Sequence, residues 1–363
     1  MKPSTLTHRV ICTVVGVVLL AGCSAAESSI SSDGATARTQ HLSPEMQKLI
    51  AMTRADHKVP VQLVTRIRSW MVHVPASAPL LYVSDDGYYP AVVDVFNYTT
   101  GSMVGQVTDS SFEYLSSPCS DSKGNVYVPD FKSGAVYEIA HRTTNVIKSW
   151  SNNGNPIGCS VSSTGNLAVT AFHYGGVYSD GGVIIYPGAG NSGTLYQGPG
   201  DDFPATYDKA GNLFLEADYA DQCTSPCLAE LPNGSSSWII LSYKQHIYFP
   251  SSVELMGTTL GVGDQQEGGG SESAIYATTV SGNSAKNKHT TTLTDSNCGS
   301  GNDLVSWANV SAKPDGLQLK TVTGAAGANV LCETLDEWKF PAGGNQIGTI
   351  GGASAPHGAT LIK

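Results

Sequence analysis

One phrase recurs in this chain and limits its fold more than any other feature. "DSKGNVYVPDF" occupies residues 121–131, "SSTGNLAVTAF" 162–172 and "DKAGNLFLEAD" 208–218. Each sets a Gly-Asn turn signal, led by Asp or Ser, directly before an apolar run. Self-similarity at a fixed period marks a repeat architecture in which each copy is one supersecondary unit. A short segment carrying Pro precedes each copy: "SPCSD" at 117–121, "NPIGCSVS" at 155–162 and "FPATYD" at 203–208. A further run follows each, "GAVYEIA", "GGVIIYPG" or "CLAELPN", and then a last one, "NVIKSW", "GTLYQG" or "SSWIIL". Four short strands repeating every ~40–45 residues is the spacing of propeller blades.

Fainter copies extend the series. "FPSSVELMGTTLGVGD" at 249–264 keeps the Pro and the turn glycine, and 303–322 sets two strands around Pro314-Asp315-Gly316. "LLYVSDD" at 80–86, "AVVDVFN" at 91–97 and "MVGQV" at 103–107 supply three strands of a unit that lacks its Pro-led strand. That strand stands at the other end, as "APHGATLIK", 355–363. An open ring would leave strand edges bare. The expected fold is therefore all-β: a six-bladed β-propeller over 80–363 with four-stranded blades. Its ring closes where residues 356–362 join the first blade as its inner strand, beside 80–84.

The pattern resembles the NHL-repeat and SMP-30/gluconolactonase-like propellers, whose blades read Pro-x-Gly-apolar-Asp and then Asp-x-x-Gly-Asn-apolar-Tyr-Val-x-Asp. The resemblance spans about residues 80–363 and is clearest in the second to fourth units. It implies a fold, and fold does not fix function. Gluconolactonase-like members ligate a cation through a Glu of an early "EGP"-type motif, and no such motif occurs near residue 80. Streptogramin-lyase-like members use a His pair in a late blade. Here the late units offer only His289, in a Lys- and Asn-flanked loop, while His357 in the closing strand could face the channel. Neither a nucleophile-elbow Gly-x-Ser-x-Gly nor a His-Glu-x-x-His is present.

The acids carry the only site pattern. Asp85, Asp86, Asp130, Asp218 and Asp264 all stand where the second strand of a unit ends, and His173 stands near that place in the third. Equivalent positions on radial blades converge on one mouth of the central channel. Carboxylates there could bind Ca²⁺ or another hard cation through oxygen, or supply a general base. The competing reading is that each Asp braces the backbone of its own turn. "GAGNSG" at 188–193 matches a dinucleotide-binding glycine pattern, but a β run rather than a helix follows it, so a loop within a blade is expected. "EGGGSES" at 267–273 reads likewise as a hairpin loop.

The N-terminal region describes export. Lys2 and Arg9 precede an apolar stretch from Val10 to Ala21, too short to span a bilayer. Leu20-Ala21-Gly22-Cys23 resembles the lipobox of bacterial lipoproteins. That resemblance implies a signal peptide over 1–22 and lipid (palmitate among the acyl groups) on Cys23. Ser24 stands where the inner-membrane retention signal would place Asp, which favours the outer membrane. Residues 23–42 are too poor in apolar groups to pack and read as a tether. Over 43–79, "SPEMQKLIAMT" carries a helix start at Ser43-Pro44, and "VPVQLVTRIRSWMVHV" reads as extended.

Loss of Lys2 and Arg9 with the signal takes the formal charge from -10 to -12. Such acidity argues against nucleic acid, and against a membrane surface beyond the lipid itself. Of eight cysteines, Cys12 leaves with the signal and Cys23 takes lipid, so six remain in a compartment that permits disulfides. Cys223 and Cys227 in "CTSPC" suit a local disulfide. Cys119 and Cys159 fall on inner strands of consecutive units, near enough to the axis to bridge, which leaves Cys298 and Cys332 as a third pair. The expectation is a monomeric binding or scaffold propeller on the bacterial cell envelope, with a small-molecule or protein ligand. The alternative is a metal-dependent lactonase or hydrolase of the SMP-30-like type, with Asp130, His173, Asp218 and Asp264 near a cation.

Overall fold

The structure, a computed structural model, describes residues 62–63, 68–152, 154–174, 181–218, 222–269, 273–293, 320–324, 334–339 and 348–363. The signal, the tether and the helix expected at 43–53 lie outside these residues.

The repeated phrase is a side-chain-locked hairpin turn. Asp121 Oδ1 accepts the N–H groups of Lys123 (2.8 Å) and Asn125 (2.9 Å), and Asp208 accepts those of Ala210 and Asn212, both at 2.8 Å. In the second copy Ser162 Oγ takes the Asn166 N–H at 3.0 Å. The glycine closes each turn at φ +83, +85 and +88° for Gly124, Gly165 and Gly211, a region that disfavours any side chain. The asparagine then fastens a second loop. The Oδ1 atoms of Asn125, Asn166 and Asn212 accept the N–H groups of His141, Gly188 and Asn233, at 3.1, 3.1 and 2.9 Å. Gly-Asn thus ties the turn after a blade's first strand to the turn after its third. That explains why this dipeptide repeats.

Each turn opens an antiparallel blade. The second blade comprises Cys119–Ser120, Val126–Asp130, Ala135–Ile139 and Val146–Ser151. The third comprises Gly154–Val161, Leu167–Tyr174, Gly182–Tyr186 and Thr194–Gln197, with "GAGNSG" in the loop between its last two strands. In the fourth, Asp201–Asp202 and Thr206–Tyr207 share the inner position beside Leu213–Asp218, followed by Cys227–Leu231 and Ile239–Ile240. The fifth runs Pro250–Met256, Thr259–Asp264, Ser273–Ser281 and Ser284–Leu293, and Ser242–Tyr243 adds a parallel edge. His289 lies exposed on that long fourth strand, opposite Ala277, rather than in the expected loop; the polar run 284–292 pairs because only its alternate face must pack.

In the first blade Pro356–Ile362 pairs antiparallel with Leu80–Asp85, and Val92–Asn97 and Ser102–Thr108 follow outward. The closure differs from expectation in size. Trp70–Met71 adds outside Ser102–Thr108, so this blade has five strands rather than four.

The blade count also differs. Among the described residues five sheets of four or five strands are present, not six. Where the sixth was expected, the described residues form three strands, Lys320–Gly324, Thr334–Lys339 and Gly348–Gly351. Residues 303–319, counted toward that blade from the turn at Pro314-Asp315-Gly316, lie outside the described residues, as do Cys298 and Cys332. The three-stranded sheet packs on both neighbours. Trp338 joins Met256, Ile275 and Leu293 of the fifth blade, while Leu335 and Ile350 join Leu81, Val83 and Phe96 of the first.

Inner strands approach closely around the axis. Ser117 N–H donates to Ile157 O and Val253 N–H to Pro204 O, both at 3.2 Å, linking neighbouring blades through main chain. A Cβ on Gly158 would meet Pro204 at 2.6 Å, so glycine is what lets the third and fourth blades touch. The disulfide Cys119–Cys159 joins the second and third blades across a Cα separation of 5.5 Å, and Cys223–Cys227 closes its local loop at 5.7 Å.

Candidate functional site

The strand-end acids are bound to backbone. Asp85 accepts N–H groups from Gly87 (2.8 Å), Ser354 (2.6 Å) and Ala355 (2.8 Å). Asp130 accepts four, from Glu113 (2.8 Å), Tyr114 (3.0 Å), Lys132 (3.2 Å) and Ser133 (3.1 Å). Asp264 accepts those of Tyr248 (3.0 Å), Phe249 (3.1 Å) and Gln266 (3.0 Å), and the Tyr276 hydroxyl at 2.9 Å. All three residues are fully buried. Each carboxylate does more than brace its own turn. It also holds two consecutive N–H groups from the segment leading into its blade's inner strand, using charge-assisted bonds. Oxygens filled in this way do not fit a cation.

Asp218 is buried at the end of its strand, its backbone paired with Asp201. Among the described residues no three His, Cys, Asp or Glu side chains are grouped to hold a metal ion. His173 lies between blades, its Nδ1 3.6 Å from Asp201 Oδ1. Asp86 and His357 do come together. Asp86 Oδ1 accepts the Leu115 N–H at 2.9 Å, its Oδ2 lies 3.3 Å from His357 Nε2, and His357 Nδ1 lies 3.2 Å from the Tyr114 hydroxyl. Burial holds the Asp86 carboxyl well above the usual carboxylate range; the Leu115 N–H opposes this, and the charges of Asp85 and Asp130 add to it. Glu216 is raised for the same first reason, with Asp264 and Asp218 adding to it against the Ser251 N–H.

Sequence reasoning overlooked what fills this mouth. Tyr114, Phe131, Phe172, Phe203 and Phe249 form a continuous arc through the second to fifth blades. Their successive centroids lie 5.9, 6.4, 5.7 and 5.9 Å apart, and His357 of the first blade stacks edge-on to Tyr114 at 4.7 Å. Every ring of the arc is buried. The signal was available: an aromatic follows the acid in "DF" at 130–131 and again at 202–203. A mouth expected to gather carboxylates is packed with rings.

The open space lies at the other end of the axis. A cavity of about 920 Å³ is lined where the inner strands finish and turn outward, around Ser120, Val161, Tyr207, Met256 and Leu361. The Cys119–Cys159 disulfide forms part of its wall. The inner and second strands of a blade are antiparallel, so this opening and the strand-end acids sit at opposite ends of the ring.

No family model matches the chain, and no curated protein matches it. Solved structures do. A chain of a nidogen/laminin complex aligns at 10% identity over 78% of this chain and 98% of that one, with a TM-score of 0.56. TolB from Acinetobacter baumannii aligns at 15% identity over 78% of this chain and 66% of its own, with a TM-score of 0.55. A Bacteroides caccae protein of unknown function aligns at 12% identity over 79% and 100%, with a TM-score of 0.53. At these identities the likeness is one of fold, and that fold is the β-propeller.

Proposed function

We propose that this chain is a binding or scaffold propeller, held at the bacterial cell envelope by lipid on Cys23, and not a cation-dependent lactonase. One observation carries the reading. Asp130 and Asp264, two of the acids that would build a hydrolytic centre, are engaged by backbone N–H groups, as is Asp85 at the same mouth, and an aromatic arc packs that mouth. The lipobox-like Leu20-Ala21-Gly22-Cys23 supports display at a membrane, with the outer membrane favoured by Ser24. The propeller then acts as a monomer through the ligand-sized cavity at the far end of its axis.

Two measurements test this. Mass spectrometry of the N-terminal peptide should find acylated Cys23, and Cys23→Ser should release the protein from the membrane fraction. Added Ca²⁺ should leave the melting temperature unchanged, since only a ligand bound by the native state shifts it. Calcium-dependent lactone turnover, lost in Asp130→Ala/Asp218→Ala, would replace the binding reading with the hydrolase one.

A further inference from the structure

The cavity at the inner-strand ends brings lysines to its rim on a protein that is acidic overall. The chain carries -10 overall, yet Lys123, Lys209 and Lys363 all line this opening. Its acids are Asp121 and Glu254. Asp121 is turned into its own hairpin: its two oxygens accept from the N–H groups of Lys123 and Asn125, the Asn125 side-chain amide and the Tyr127 hydroxyl. Glu254 has an interaction of its own. Lys123 and Lys209 are exposed, and no carboxylate stands within 4 Å of either ammonium among the described residues. Lys123 reaches Glu138 only through its field.

The placement of these lysines follows from the repeat. Both sit inside the locked Asp-x-x-Gly-Asn turns, Lys123 in the second blade and Lys209 in the fourth. Those turns are rigid, because their backbone N–H groups are already bound by Asp121 and Asp208. The ammonium groups therefore stand on fixed posts at the rim. Deeper in, Pro118, Leu361, Ile362 and Met256 give an apolar floor, and all four are buried. Concave walls, an apolar floor and a few positioned polar groups are the usual make-up of a small-molecule site.

We propose that this cavity binds a small amphipathic anion, with Lys123 and Lys209 taking a carboxylate or phosphate group and the apolar floor taking its body. The inference rests on the binding reading above and names the ligand class for that cavity. Ammonium groups at the rim raise the local concentration of anions on a protein whose net charge repels them elsewhere, an effect that Asp121 and Glu254 reduce. Lysine supplies a point charge on a flexible stem, so the rim accepts either head group.

The test uses the purified full chain and three probes of similar size: 4-phenylbutyrate, phenyl phosphate and neutral 2-phenylethanol. Binding is read by ligand-observed NMR and calorimetry. Both anions should bind more tightly than the alcohol, and affinity should fall as salt screens the rim. The Lys123→Gln/Lys209→Gln double variant should weaken the anions about tenfold or more without moving the melting temperature. A preference for one anion identifies the head group. Equal binding of the alcohol, an unchanged affinity in the double variant, or no binding of either anion overturns the proposal. None of those results restores the hydrolase reading, which stands or falls on calcium-dependent turnover.

Discussion

Replacing Asp130 with Ala isolates the acid brace. The side chain accepts four backbone N–H groups, and their settings differ. Those of Lys132 and Ser133 sit in the blade's own turn, part-buried, where water replaces the lost acceptor at little cost. Those of Glu113 and Tyr114 belong to the segment under the aromatic arc; the Glu113 bond is part-buried like the turn bonds, and only the Tyr114 bond is fully buried. A bond to a charged acceptor contributes ~1.5–3 kcal/mol, and a stranded buried donor forfeits a comparable amount. One such donor gives an expected loss of ~1.5–3 kcal/mol, a sizeable part of the ~5–15 kcal/mol that holds a typical domain. Urea unfolding followed by tryptophan fluorescence should show this as a lower midpoint at unchanged slope. Asp130→Asn keeps one acceptor oxygen and should fall between. A loss below about 1 kcal/mol for Asp130→Ala would mean that the lead-in segment is held by something else, and the bracing argument fails.

Three further outcomes are expected. Burial first, then the Asp85 charge, pushes the Asp94 carboxyl up to about 8, against the Gln106 side-chain amide. The folded chain therefore keeps a proton that the unfolded chain releases near 3.8, so stability should fall as pH rises from about 4 to about 8. The slope should reach ~1.4 kcal/mol per pH unit, and Asp94→Asn should remove one proton's worth of it in urea titrations at several pH values. Asn212→Ala should cost up to ~1 kcal/mol in the same assay, because the exposed Asn233 N–H loses its acceptor and Asp208 loses the amide donor, while Asn212→Asp should cost more, since a carboxylate oxygen would then face Asp208. Gly158→Ala should lower the melting temperature by several degrees by forcing the third and fourth blades apart at Pro204, whereas Gly234→Ala, at φ +77° but facing open space, should cost only the ~1 kcal/mol of its backbone.

The repeat was legible because its turn chemistry is local. Asp, Gly and Asn satisfy one another within five residues, so the same letters reappear wherever the same turn does. The sixth unit was overcounted for a related reason. Pro314-Asp315-Gly316 signals a turn, but a turn signal does not state how many strands flank it. The strand-end acids were found and partly misread. Their second partners lie outside the turn, Glu113 17 residues before Asp130 and Ser354 269 residues after Asp85, and no local pattern announces a backbone donor. The rings of the aromatic arc keep no fixed spacing to the Gly-Asn turn, which hid them. Cys119 and Cys159 were placed by register alone, because two inner strands of adjacent blades must pass near each other.

The pairing of Pro356–Ile362 with Leu80–Asp85 has a consequence for the order in which the molecule is made. Leu80–Asp85 emerges early, and its inner edge stays open while about 270 further residues are added. During that interval the first blade presents a bare, wholly apolar-flanked strand to whatever is nearby, including another copy of itself. Only a chain carried through Ile362 can cover it. A copy cut short of Pro356 cannot hide this edge, and so would stand out to any protease or chaperone that recognises open strands. The same seven residues therefore set the moment at which the first blade loses its open edge.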